Sequence, residues 1–494
     1  MKLFDICQKA NVNCPQYLKD LEVEGITSNS QKVKQNYLFV CLKGTKSDGH
    51  LYIDEAFENG ALAVIVEDEN YSCERSILVD STREALANMM NVFCGEPTKK
   101  LKFIGVTGTN GKTSVSVMIK NIFDTIHIPC ELIGTLNSSS FSEKPKISQA
   151  NFTTPDPEEL YPMLQRISGA DVRYVVMEVS SHALKLKKLA PINFEIGIFT
   201  NLTEDHLDFH KSMEDYFKSK LCLFDKCKLG IINIDDCYGK QITSVTKCKI
   251  KTCSIEQNAD YLAFDIENHL ESGFEYKIKT QQDVVSMKCN IPAQFTIMNS
   301  MQACACALEL NIDKNLIKRS FESLKNVEGR LEKIELFEGR GFAGFIDYAH
   351  TPDALSKLLD TANSFKKAGQ RVILLFGCGG DREKEKRKIM GEIATKKADF
   401  TIITSDNPRS ENPIQIINDI LSGTCENSDF IVIPDRRKAI EYAIVTAKKG
   451  DIILFAGKGH EKYEINANGA FPFNEKEIIR DILKNTKGEM SYED

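Results

Sequence analysis

Residues Gly105-Val-Thr-Gly-Thr-Asn-Gly-Lys-Thr-Ser114 run out of the apolar stretch Leu101 to Val106 and into a segment whose apolar positions, Val115, Met118, Ile119, Ile122 and Ile126, recur at helical spacing. A strand that feeds a glycine-rich turn and then a helix fixes an α/β layer, because strand and helix must pack on each other for the turn to close. The same turn points backbone N–H groups and a helix N-terminus at one spot, which is a site for nucleotide phosphates. Within it Gly108, Thr109, Asn110, Gly111, Lys112, Thr113 and Ser114 form the cradle; Lys112 is expected to meet the terminal phosphates and Thr113 a magnesium ion. The spacing departs from the common GxxxxGK[ST], since Val106 stands at the first glycine position and Gly108 takes over. The plainer alternative is a structural strand-to-helix turn.

At 494 residues, 42% of them hydrophobic and 27% charged, the chain is long enough for several cores. Pro97 and two lysines before Leu101, and a fresh strand-rich pattern after Gly329-Arg330, divide it into residues 1–98, 99–330 and 331–494. The formal charge of -7 is modest and its basic residues are dispersed, so nucleic acid is not an expected partner. Asp5 and Lys9 interrupt the start, and no later apolar run approaches the length of a membrane span, so a cytoplasmic protein without membrane insertion is expected. The 16 cysteines are scattered without a CxxC pair, which reads as reduced thiols rather than disulfides or zinc ligands.

The segments alternate strand and helix. Tyr37 to Cys41 and Ala61 to Val66 read as buried strands of the first, and the second combines an α/β core with a β-rich insertion and a helix of small residues, Ser300 to Leu310. In the third, strands at 344–346, 372–376, 400–404, 430–433 and 452–455 imply a Rossmann-like, doubly wound and largely parallel sheet. Four of those strands run into the polar loops Asp347-Tyr-Ala-His350, Gly377-Cys-Gly-Gly-Asp-Arg382, Ser405-Asp-Asn-Pro-Arg409 and Gly457-Lys-Gly-His-Glu461. Ligands of open α/β sheets bind beyond the carboxyl ends of the strands, so these loops are expected to line one site.

Tyr174-Val-Val-Met-Glu178 is a strand ending in a carboxylate, a position from which nucleotide-binding proteins reach magnesium, although an isolated acid there more often caps the next helix. Five of eight histidines, His182, His206, His210, His350 and His460, fall inside the motif segments. His206, in Asn201-Leu-Thr-Glu-Asp-His-Leu-Asp208, is the strongest ligand candidate among them. Lys220, in a helical stretch, reads on its own as a solvated surface lysine.

The order and spacing of Thr27-Ser-Asn-Ser30, Gly44-Thr-Lys-Ser-Asp-Gly49, TGTNGKTS, Thr153-Thr-Pro155, Met177-Glu-Val-Ser-Ser-His182, NLTEDHLDFH, Gly329-Arg330, DYAHTPDAL, GCGGDR, DNPR and GKGHE resemble the Mur ligase family from end to end. The resemblance implies three domains: an N-terminal one for a UDP group, a central P-loop-type ATPase and a C-terminal amino-acid-binding domain. Carried over residue by residue, it implies that Ser28, Ser30, Thr45, Lys46, Ser47, Thr153, Thr154, Ser180 and Lys188 meet a UDP-muramoyl-dipeptide. Asn299, Arg330 and Asp347 join the glycine loop in holding ATP, and Arg382, Asp406, Asn407, Pro408, Arg409, Gly457 and Glu461 hold diaminopimelate. Thr113, Glu178, His206 and Lys220 resemble the magnesium cluster, with Lys220 carbamylated by carbon dioxide into an anionic oxygen ligand. Departures from the family pattern are Asn29-Ser30-Gln31 in place of DSR, Lys188 in place of an arginine, and Thr296 in place of an asparagine.

The implied reaction is ATP-dependent amide formation through an acyl phosphate in peptidoglycan precursor synthesis, by a monomer that adds meso-diaminopimelate. Arg409 favours diaminopimelate over lysine, because a guanidinium matches the second carboxylate; the alternative is that Arg409 caps a helix or makes a surface ion pair. The competing functions are a lysine-adding Mur ligase, a folylpolyglutamate synthase-like ligase and a non-catalytic nucleotide-binding scaffold.

Overall fold

The computed structural model describes residues 1–44, 47–136 and 153–486. They build three sheets in chain order. The first is the parallel set β1 (Gly25–Thr27), β2 (Tyr37–Val40), β3 (Ala61–Val66) and β4 (Ser76–Leu78), ordered as they occur. Both faces are covered, as parallel strands require. Leu38, Val40, Ala63 and Ile65 pack toward helix Thr82–Phe93, while Phe39, Val64 and Val66 pack on Val33 and Ala56.

The second sheet holds β5 (Lys102–Thr107), β6 (Cys130–Ile133), β7 (Tyr174–Glu178), β8 (Phe194–Phe199), β9 (Cys227–Asn233), β10 (Lys249–Ser254), β11 (Tyr261–Asn268), β12 (Phe274–Lys279) and β13 (Val284–Cys289), ordered 13-12-11-10-9-8-5-7-6. Strands β5 to β11 pair in parallel and β11, β12 and β13 antiparallel. The β-rich stretch read as an insertion is therefore the edge of the core sheet itself. The alternating buried and exposed residues of β12 and β13 mark one solvated face, whereas the central parallel strand β7 is buried throughout. Helices Lys112–Thr125 and Phe295–Glu309 pack together over this sheet; the alanines and cysteines of the second permit the close approach.

The third sheet is ordered β14 (Glu332–Lys333), β15 (Ala343–Asp347), β19 (Ile452–Ala456), β16 (Val372–Phe376), β17 (Phe400–Ile403), β18 (Phe430–Val432), all parallel except β14. Helices Pro352–Phe365, Glu385–Lys397 and Pro413–Leu421 cover one face, and Arg436–Val445 and Glu475–Thr486 the other, so the sheet is doubly wound as expected. A hairpin of β20 (Tyr463–Asn466) and β21 (Gly469–Pro472) follows. Gly329, at φ +66°, lies so close to the Gly459-His460 backbone that a Cβ would overlap it, which binds the end of the central region to the loop after β19. All 16 cysteines are unpaired, and among the described residues no helix is long and apolar enough to cross a membrane.

Candidate active site

The glycine loop leaves β5 under steric orders. Gly108 sits at φ +150° with no room for a Cβ beside Thr200 Oγ1, and a Cβ on Gly111, at φ +87°, would come 2.7 Å from Asn299 Oδ1. The loop is tied to the segment after β8: Thr109 N donates to Asn201 O at 2.9 Å, Thr200 Oγ1 to Asn110 O at 2.6 Å, and Asn110 N to Asn201 Oδ1 at 2.9 Å. Lys112 begins the helix, and its Nζ donates back to Gly108 O at 3.0 Å and Thr109 O at 2.9 Å. Burial holds its pKa below the usual lysine value, against the pull of Glu178 and Asp205. Thr113 and Ser114 are buried in the first turn.

Strand β7 brings Glu178 beside that turn, where Thr113 Oγ1 donates to its Oε2 at 2.9 Å. Glu178 is fully buried and its oxygens also accept from Thr135 N at 2.8 Å and Thr135 Oγ1 at 3.1 Å, with Gly134 pressed against the carboxylate. A hydroxyl and a carboxylate at the phosphate loop are the hard oxygen donors that magnesium takes, so these residues fit the ion. Arg330 Nη2 reaches the same Thr113 hydroxyl at 3.0 Å and lies over the Tyr348 ring, 4.6 Å from its centroid.

Lys220 is not a surface residue. It is 1% exposed, its Nζ donates to Gly108 O at 2.8 Å, and it lies 4.5 Å from the centre of the Tyr216 ring. Burial and the neighbouring Lys112 draw its pKa far below the usual lysine value, with Asp205 opposing. His206 stands in the left-handed region at φ +56°, 3.3 Å from Asp205 Oδ2, and its ring meets that of His182 at 5.0 Å. Among the described residues no three His, Cys, Asp or Glu side chains converge as a metal cage. The donors at the loop are Thr113 and Glu178, and Lys220 could add an oxygen only after modification.

Asn299 abuts Gly111. Both Asp347 oxygens are used by backbone, accepting from Leu331 N and Ala349 N at 2.7 Å each; burial raises its pKa and Arg330 opposes. Asn110 Nδ2 donates across to Asp353 Oδ2 at 2.8 Å, which joins the phosphate loop to the helix following β15.

Of the residues expected to meet the UDP substrate, Thr45 and Lys46 lie outside the described residues. Ser28 bonds Glu158 of the central region through N at 2.6 Å and Oγ at 3.3 Å, Ser30 is buried with its carbonyl taken by Asn59, and Ser47 is exposed. Thr153 accepts from Thr135 Oγ1 at 3.4 Å, and Thr154 Oγ1 donates to Glu178 O at 2.8 Å and accepts from Ser180 N at 3.0 Å. These three thus gather at Glu178, while Lys188 is buried against Asp156 Oδ1 at 2.6 Å.

The loops after β16, β17 and β19 meet at a second cluster of polar side chains. Pro408 O lies where a Cβ on Gly380 would be, so the GGDR and DNPR loops touch backbone to backbone. Arg409, at φ +52°, donates its N–H to Ile465 O of the hairpin at 2.9 Å and Nη1 to Gly380 O at 2.8 Å. It neither caps a helix nor pairs with a carboxylate among the described residues; burial and then Arg382 lower its pKa. Arg382 is exposed, with Nη1 on Asp381 O at 3.3 Å. Asn407 Nδ2 donates to Glu461 Oε2 at 2.7 Å, and a Cβ on Gly457, at φ +110°, would come 2.9 Å from Asp406 Oδ2. Burial, then Asp406, pushes the Glu461 pKa up to about 7.

Several residues here had no individual signal in the sequence. Asn201, Asp205 and Tyr216 sit in motif segments but support rather than stand out. Lys458 is fully buried within GKGHE. Lys386 looks like part of the charge run Arg382 to Lys388, yet it is buried at the start of its helix, and its charge acts on Asp205 and His350.

Comparisons with known proteins cover most of the chain. Residues 22–94 match the Mur ligase family catalytic domain, 106–307 the Mur ligase middle domain, and 329–459 the Mur ligase glutamate ligase domain. A UDP-N-acetylmuramoyl-L-alanyl-D-glutamate–2,6-diaminopimelate ligase of Caldanaerobacter subterraneus subsp. tengcongensis is 42% identical over 468 residues, 94% of this chain and 95% of that protein. One of the same name from Clostridium perfringens is 41% identical over 474 residues, covering 94% and 96%. A solved structure of a ligase of that name superposes with a TM-score of 0.68 at 28% identity, covering 99% of this chain and 100% of that one. Mycobacterium tuberculosis folylpolyglutamate synthase shares the fold at TM-score 0.59 and 15% identity over 75% of this chain. With identity of this extent across all three sheets, the chain belongs to the Mur ligase family.

Proposed function

We propose that this chain is an ATP-dependent ligase that joins meso-diaminopimelate to UDP-N-acetylmuramoyl-L-alanyl-D-glutamate in peptidoglycan precursor synthesis. The observation that carries the reading is the 42% identity, over 94% of the chain, to a ligase of that name. Residues 1–98 take the UDP group with Ser28, Ser30, Thr45, Lys46 and Ser47, residues 99–330 take ATP, and residues 331–494 take the amino acid. Nucleotide substrates put the reaction in the cytosol, and a single chain carries all three regions, so a monomer suffices.

ATP lies on the amides of Gly108 to Ser114, with Lys112 leaving its carbonyl partners for the terminal phosphate, and Asn299, Arg330 and Asp347 at the edge. Thr153, Thr154, Ser180 and Lys188 hold the muramoyl-dipeptide so that its free glutamate carboxylate faces the phosphates. The carboxylate attacks the γ-phosphorus, a P–O bond to ADP breaks, and an acyl phosphate results. The amine of diaminopimelate then attacks the carbonyl; phosphate leaves, and a proton is lost from the nitrogen. Magnesium, held by Thr113, Glu178, His206 and carbamylated Lys220, would neutralise phosphate charge. Lys220 suits carbamylation because burial and the neighbouring Lys112 favour its neutral amine, the form with which carbon dioxide reacts. Charge is thus stabilised by positioned donors, without a protein nucleophile.

Arg409 and Arg382 receive the distal carboxylate, and Asp406 and Glu461 the distal ammonium, with Asn407, Pro408 and Gly457 shaping the pocket. Lysine lacks the second carboxylate and would leave Arg409 uncompensated. Phosphate release that requires ATP, the muramoyl-dipeptide and diaminopimelate together supports the reading; release independent of any one of them refutes it.

A further inference from the structure

Lys458 is 0% exposed and lies among the residues assigned to the amino acid, where its ammonium makes two hydrogen bonds and one ion pair. It donates to Asn407 Oδ1 at 3.1 Å and Tyr463 O at 3.0 Å, stands 3.4 Å from Asp406 Oδ1, and lies 5.3 Å from the Phe473 ring centre. The bond to Asn407 is orienting. Asn407 Oδ1 also accepts from Ile465 N at 3.0 Å, so the amide cannot turn, and its Nδ2 must face Glu461 Oε2 at 2.7 Å. The ion pair is compensating: Asp406 is 6% exposed and its Oδ1 accepts no hydrogen bond among the described residues, so the Lys458 ammonium 3.4 Å away offsets part of the cost of burying that carboxylate, together with the nearby Arg436 and Arg409.

We propose that Lys458 is a positioning residue for specificity, which fixes the Asp406 carboxylate through their ion pair and turns Glu461, through Asn407, toward the distal ammonium of the amino-acid substrate. It touches no substrate itself. The proposal rests on the diaminopimelate reading above. It distinguishes two parts of the site by their anchors: an ammonium part supported by Lys458, and a carboxylate part built on Arg409, whose guanidinium is anchored to Gly380 O instead.

The test is a substrate comparison. Diaminopimelate and 2-aminopimelate, which lacks only the distal amine, are assayed as substrates or competitive inhibitors with wild type, Lys458→Gln and Lys458→Arg, alongside KM for ATP and kcat. Gln keeps a donor for Asn407 and Tyr463 but removes the charge. Loss of the charge should weaken diaminopimelate by about tenfold or more, leave 2-aminopimelate and ATP within about twofold, and be largely reversed by Arg. An equal loss for both amino acids means that Lys458 only supports the fold of the pocket, and no loss for either means that it is idle; both outcomes overturn the proposal. If Lys458→Gln does not fold, Asp406→Asn/Lys458→Gln removes both members of the buried pair, which is better tolerated than removing one. That double variant should show the same preference for diaminopimelate over 2-aminopimelate as Asp406→Asn alone; a preference different from that of Asp406→Asn contradicts the coupling. Absence of any diaminopimelate-dependent turnover by wild type would instead defeat the functional reading itself.

Discussion

The Lys220 side chain donates to the Gly108 carbonyl at 2.8 Å, so a lysine from the helix Met213–Leu221 reaches the underside of the phosphate loop and ends beside Lys112. Two lysines cannot both be fully charged cheaply in one buried place. Conversion of one to a carbamate would relieve the repulsion and supply anionic oxygen where a divalent ion is needed.

Lys220→Ala should therefore lose activity by about a hundredfold or more while keeping its fold, and should regain part of it when short carboxylic acids are added. Turnover with and without acetate or formate, together with thermal unfolding, checks this. Unchanged activity would return Lys220 to an ordinary buried lysine.

Gly108→Ala should weaken ATP by about tenfold or more, because its Cβ would overlap Thr200 Oγ1 at a φ that L-residues rarely adopt, a strain of about 1–3 kcal/mol. KM for ATP from phosphate release reads the effect, and the KM for the amino acid should remain near that of wild type.

The Glu461 carboxyl titrates near 7 because burial and Asp406 disfavour its charge. Its ionised form, which accepts an ammonium, is full above that value and lost below it. Affinity for diaminopimelate should accordingly fall as pH drops from about 8 to about 6, and Glu461→Gln should flatten the profile. A profile of kcat/KM for diaminopimelate at saturating ATP is the measurement.

Arg409→Ala should raise KM for diaminopimelate with little effect on ATP, by the equivalent of about 2–5 kcal/mol, since it removes the cation facing the second carboxylate. Initial rates with each substrate varied in turn separate the two. Equal effects on both KM values would point to a folding defect.

The phosphate loop, the doubly wound third sheet and the four polar loops after its strands were legible because glycine spacing and strand–helix alternation are local signals. Lys220 was legible only through family resemblance, since a lysine on a helix carries no local mark of burial. The same holds for Lys386, hidden in a charge run, and for Lys458, whose burial depends on Asn407 and Tyr463 arriving from other loops. The continuation of the central sheet through β11, β12 and β13 also escaped, because strand pairing across a whole sheet leaves no spacing pattern in the chain.

The central claim is tested most directly by supplying UDP-N-acetylmuramoyl-L-alanyl-D-glutamate with ¹⁸O in its glutamate carboxylate, together with ATP and equal diaminopimelate and lysine, and weighing both products. The account predicts a diaminopimelate amide as the main product and one ¹⁸O in each released phosphate, as an acyl phosphate demands. Unlabelled phosphate would contradict the mechanism, and a lysine amide as the main product would contradict the role given to Arg409.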